Sequence, residues 1–119
     1  MRPHLVTLVE EVLAEGDEDW VMVDFLIGVA EEHVSAQGGD FKSVSLELLK
    51  TLLEEELMEI GELGETGFEA WECPVEESVE RFREGSERYA WKPMGALWWL
   101  ANTSKGEQWL KARHERERG

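Results

Sequence analysis

Apolar residues recur at intervals of three and four from the start of the chain. Leu5, Leu8, Val9, Val12 and Leu13 form one stripe, with Glu10, Glu11 and Glu15 between and beside them and Gly16 as a stop, so the spacing predicts an amphipathic helix over about 3–15. Asp17, Glu18 and Asp19 supply a cap and negative charge for a second helix, whose stripe is Trp20, Val23, Ile27, Ala30 and Val34, widened by Phe25 and Leu26. Ser35 to Asp40, with the pair Gly38 and Gly39, reads as a loop, and Ser43 or Ser45 can cap a third helix marked by Leu46, Leu49, Leu52, Leu53 and Leu57. The period then changes. Met58, Ile60 and Leu63 alternate roughly with polar or small residues, Gly64 to Gly67 is a turn, and Phe68, Ala70 and Trp71 follow, which predicts a short hairpin pairing 58–63 with 67–71. Pro74 opens a fourth helix, about 74–89, through Val75, Val79, Phe82 and Tyr89. Met94 to Ala101 is an apolar run too short to classify, either a strand or a buried helical turn. Ser104 with Glu107 forms a capping box for a fifth helix reaching about Glu115, and 112–119 are expected to fray. The expected fold is mainly α within the α+β class: three helices, a short β-hairpin, then two further helices, all in one domain spanning 1–119.

Helix, helix, helix, hairpin is the order of a winged-helix domain, and the resemblance covers about 3–71. It places 44–57 in the position of a recognition helix and Gly64 to Gly67 at the wing tip. Leu100 to Gly106 also looks like the segment that precedes the last helix in some winged-helix regulators, although here it follows an extra helix. The pieces Gly67-Phe-Glu-Ala-Trp71 and Trp98-Trp-Leu-Ala-Asn-Thr-Ser-Lys-Gly106 resemble those of small bacterial proteins from GC-rich genomes. That resemblance implies a shared fold and no known activity.

Charge changes the picture more than length does. At 119 residues, 42% hydrophobic and 33% charged, the chain can bury roughly two-thirds of its unfolded surface unaided. The net charge of −15 repels phosphate and anionic lipid and attracts basic surfaces. It is unevenly placed: residues 1–80 hold 22 acids against Arg2, Lys42 and Lys50, while 81–119 hold nine bases against five acids. Such asymmetry fits either a polar interaction surface or a basic end folded back on an acidic body. No stretch approaches the ~20 apolar residues of a membrane span, and acids arrive too early for a signal peptide, so a cytoplasmic protein without membrane contact is expected. The one cysteine, Cys73, excludes an internal disulfide and fits a small buried apolar residue.

Candidate chemistry is sparse. Glu54, Glu55 and Glu56, like Asp17 to Asp19, point in different directions around a helix and read as caps or solvated acids. His4, His33 and His114 form no paired helical motif, Cys73 has no histidine near it in sequence, and neither a nucleophile elbow nor a phosphate loop is present. No enzyme activity, cofactor or metal is expected. The helix in the recognition position offers Glu47, Lys50, Glu54 and Glu55, so duplex nucleic acid is disfavoured; its acids are either a solvated face or an imitation of a phosphate backbone. Of six tryptophans, Trp71, Trp98, Trp99 and Trp109 suit the core. Trp98 and Trp99 are adjacent and cannot readily face the same way, so one of them, or Trp91 beside Lys92 and Pro93, is the candidate exposed anchor. The expected function is a non-enzymatic acidic module that engages a basic protein partner through Glu47, Glu54, Glu55 and these tryptophans, in the manner of immunity proteins or DNA-mimic inhibitors. The alternative is a divergent winged-helix regulator that uses its basic segment, Arg81 to Arg118, for nucleic acid.

Overall fold

The computed structural model describes residues 1–118. The elements are α1 (Pro3–Glu15), β1 (Val21–Met22), α2 (Val23–Gln37), α3 (Phe41–Glu54), β2 (Met58–Gly64), β3 (Gly67–Ala70), α4 (Val75–Arg88), β4 (Trp99–Asn102) and α5 (Ser104–Arg118). Helices and strands together make an α+β fold with one antiparallel sheet in the order β1-β4-β2-β3. The expected lone hairpin is therefore half of a four-stranded sheet, and the apolar run that periodicity left open supplies its inner strand β4.

Pairing explains why β1 escapes the helical pattern. Val21 lies opposite Leu100 and Met22 opposite Trp99, so α2 begins at Val23 and Trp20 stands outside it. Partners across an antiparallel ladder share a face. Val21, Leu100, Ile60 and Met58 point inward and are buried with the stripes of α1, α2 and α3. Met22, Trp99, Gly61 and Ala70 make the corresponding outward row, continued by Leu63 opposite Phe68.

Helix ends differ from expectation where local hydrogen bonds compete. The α3 cap is Asp40, whose carboxylate accepts from Lys42 N (3.3 Å) and Ser43 Oγ (2.8 Å), while Ser45 lies buried inside the helix. At its other end Glu56 turns left-handed (φ 58°) and Leu57 N donates to Leu52 O, a Schellman closure that drops Leu57 into the core instead of extending the helix to it.

The segment from Trp98 to Gly106 is a structural clasp. The Trp98 ring occupies the space where a side chain on Gly85 of α4 would project, 2.2 Å from an ideal Cβ there. Asn102 Nδ2 donates to Leu13 O at the end of α1 (2.9 Å). Thr103 Oγ1 donates to Glu56 O (2.6 Å) and accepts from Gly106 N (2.9 Å), so Thr103, one residue before the expected Ser104, caps α5. Gly106 sits so close to Leu57 O that a Cβ would lie 2.0 Å from it. The helix then continues to Arg118 instead of ending near Glu115, held to α1 by Arg113 Nε donating to Glu10 (2.7 Å). Among the described residues, no helix is long and apolar enough to cross a membrane.

Candidate functional site

The residues expected to meet a partner do not form one surface. On α3, Glu47 is paired with Arg2 (3.2 Å) and lies 4.0 Å from His4 Nε2, and Glu54 lies 3.8 Å from Lys50. Glu55 is exposed at the helix end. Two of the three acids thus already face a cation, which weakens the field they project as a group.

Trp91 is not an exposed anchor. It is 2% exposed, set edge-on to Phe41 and Phe82, with Lys42 Nζ 5.9 Å from its ring centre. Left-handed φ angles at Ala90 (53°) and Trp91 (61°) fold the chain back on the end of α4, where Trp91 N donates to Ser86 O (2.7 Å). That reversal drives the ring into the core. Trp98 and Trp99 do face opposite ways, as strand alternation requires. Trp98 meets Trp71 edge-on at 4.8 Å beneath Arg81, whose guanidinium lies 4.1 Å from the Trp71 ring centre. Trp99 alone of the three expected tryptophans turns to the outer face of the sheet.

On that outer face the structure gathers side chains of which only Trp99 is a candidate site residue by sequence. Trp20 (42% exposed), Met22 (41%) and Leu63 (43%) lie with Trp99 and Phe68, and Trp20 contacts Phe68 at 6.3 Å between ring centres. Trp20 fits the helical period of the α2 stripe, yet it lies outside that helix. The overlooked signal is Gly28, a glycine in the middle of a helix-forming stretch next to Phe25. At the β1 end this face opens into a groove of about 560 Å³ between the sheet edge, α1 and α2. Trp20, Met22, Phe25, Val29 and Trp99 supply its apolar lining, and Glu11, Glu15, Asp24 and Glu32 its carboxylates. Asp24 accepts from Gly95 N through Oδ2 (3.1 Å), while its Oδ1 is buried without a partner. Burial, then the neighbouring charges of Glu32 and Glu10, push the Glu11 carboxyl above its ordinary value, with His33 opposing.

Two other cavities offer less chemistry. One of about 390 Å³ holds Cys73, whose Sγ lies 3.1 Å from Ser78 Oγ, beside Trp71 and Lys105. No histidine lines it, so the thiol has no imidazole base. Another, of about 540 Å³, contains His4 stacked on His33 at 5.9 Å, with Glu11 and Glu32 on its wall. Among the described residues no group of three His, Cys, Asp or Glu side chains is placed to hold a metal ion. No family model matches the chain, and neither a curated protein nor a solved structure matches it.

Proposed function

We propose that the protein is a non-enzymatic acidic module that binds a basic protein partner, with a role of the immunity-protein or DNA-mimic type. The observation that carries this reading is the outer sheet face, where partly exposed aromatic and aliphatic side chains adjoin carboxylates that have no ion-pair partner among the described residues. An apolar centre with a charged rim is the anatomy of a recognition surface, and the acidic rim selects for basic partners while speeding their approach. The distribution of bases supports the same assignment. Arg81 lies over Trp71 and 3.8 Å from Glu62, Arg83 is bound by Glu80, and Arg113 is held by Glu10, so three of the nine bases of the segment are engaged within the fold. Arg81 and Arg113 are thereby drawn away from the phosphate contacts that the nucleic-acid alternative would need.

A winged-helix regulator remains the second reading, favoured by the run of α1, α2 and α3 into the β2–β3 hairpin. Against it, α3 would bring Glu47, Glu54 and Glu55 to phosphate, and β4 lies between β1 and the hairpin. Titration of a random-sequence duplex and of poly-arginine at two ionic strengths tests the two together. We expect salt-sensitive binding of poly-arginine and none of the duplex. Micromolar affinity for duplex at ~0.15 M salt would replace the first reading with the second.

A further inference from the structure

We propose that the groove between α1, α2 and the β1 edge of the sheet is the docking site for an amphipathic, arginine-bearing helix of a basic partner protein. The inference rests on the function proposed above and assigns its site.

Tryptophan environments provide the first argument. Trp71 and Trp98 have Arg81 over their rings (4.1 and 6.0 Å), Trp91 has Lys42 (5.9 Å) and Trp109 has Arg113 (5.7 Å). Among the described residues, only Trp20 and Trp99 of the six tryptophans have no cation of the chain over them, and these are the two that line the groove. A guanidinium can stack on an indole and at the same time present its edge to a carboxylate. Glu11, Glu15 and Glu32, all without ion-pair partners among the described residues, supply such carboxylates beside the rings, and no Lys or Arg lines the groove. Burial first, and then the charges of Glu32 and Glu10, hold the Glu11 carboxyl above its ordinary value, and a cation docked beside it would oppose the charge part of that shift.

Gly28 provides the second argument. It is a single exposed position inside α2 on the groove wall, where a glycine weakens the helix relative to alanine by roughly 1 kcal/mol. Its backbone does not require glycine, since its φ is not positive, and a Cβ there would meet nothing within 4 Å. Packing among the described residues therefore gives no reason for a glycine here, whereas a partner backbone crossing α2 gains close approach from it. The geometry also selects a helix over a strand. The exposed edge strand β1 has only two residues, too few to template an added strand, whereas a groove bounded by α1, α2 and the sheet edge suits the apolar stripe of a helix.

The test uses an amphipathic Leu/Arg peptide of roughly five helical turns, and the same pattern with Lys for Arg, titrated by calorimetry at ~0.15 M salt. We expect the Arg peptide to bind more tightly than the Lys peptide and to change tryptophan emission. Gly28→Gln should lower its affinity about tenfold while the melting temperature stays the same or rises, because glutamine favours the helix and has room. Glu11→Gln combined with Glu32→Gln should cost about tenfold, and the exposed control Glu55→Gln less than about twofold. Wild-type affinity in Gly28→Gln would overturn the site and leave the basic-partner reading standing. Failure of the wild-type protein to bind either peptide even at low ionic strength would overturn both. A dimer of the free protein that Gly28→Gln dissociates would identify the occupant as a second copy of the chain, and so would also overturn the proposal.

Discussion

Thr103 satisfies backbone groups from two distant parts of the chain with a single hydroxyl: the Glu56 carbonyl beyond α3 and the Gly106 amide in the first turn of α5. Replacing it with the isosteric valine removes both bonds without changing volume much, and strands a partly buried amide. We expect Thr103→Val to cost about 1–2 kcal/mol in chemical denaturation, and Thr103→Ser to recover most of that. Ser104→Ala should change stability little, because Ser104 is exposed and is not the cap. The capping-box pattern of Ser104 with Glu107 sets this cap one residue late. Thr103 and Ser104 both carry a hydroxyl, and only the position of Glu56, far away in the chain, decides between them. Trp20 was misread for a related reason: its spacing suits the helical stripe, and what excludes it is the pairing of Val21 with Leu100.

At the scale of elements, α1, α4 and the β2–β3 hairpin were legible because their signals are local: a stripe with a stop, Pro74 before a stripe, and a turn between alternating runs. The sheet was not legible. β1 has two residues and no periodicity, and β4 is a strand because β1 and β2 flank it. Of the candidate site, only Trp99 was both anticipated and found facing outward. The inner side of this sheet makes its own prediction through Trp71, which joins β3 to α4 by meeting Trp98 edge-on under Arg81. Trp71 is half-buried, so Trp71→Ala should cost about 2–3 kcal/mol, below the loss from a fully buried tryptophan. The near-ultraviolet dichroism of the pair should weaken with it. A double-mutant cycle with Arg81→Gln should return a coupling of about 0.5–1 kcal/mol between ring and guanidinium. Unchanged dichroism and stability in Trp71→Ala would show that the hairpin is held by other contacts.

For the whole molecule, a net charge of −15 means that the folded state confines carboxylates that the unfolded chain spreads apart. Added salt should therefore raise the melting temperature. Two carboxyls pull in opposite directions as pH changes. Glu11 is held above its ordinary value by burial and then by Glu32 and Glu10, so the fold binds its proton more readily than the unfolded chain does. Its ionised form is the destabilising one, and stability from this group rises as pH falls toward its folded pKa. Asp40 is held below its ordinary value, first by the Ser43 hydroxyl and then by the Lys42 amide. Its contribution is present above the unfolded pKa and disappears only as pH falls through the lower folded one. Melting temperatures followed from neutral pH down to the ordinary carboxylate range should thus show a gain that Glu11→Gln reduces, with the loss from Asp40 confined to solution more acidic than that range.

The strand order also determines how the molecule can exchange parts with a copy of itself. β4 and α5 form a terminal unit that fills the slot between β1 and β2, and the link leading into it carries left-handed φ angles at three non-glycine residues, Ala90, Trp91 and Met94. Each such angle costs of order 1 kcal/mol, and that cost is relieved if the link straightens. A straightened link would carry β4 and α5 across to the same slot in a neighbouring copy, re-forming every ladder bond and the Thr103 clasp between chains. Straightening the link would also withdraw the Trp91 ring from Phe41 and Phe82, so the burial of that one side chain is what opposes exchange of the last strand and helix between copies.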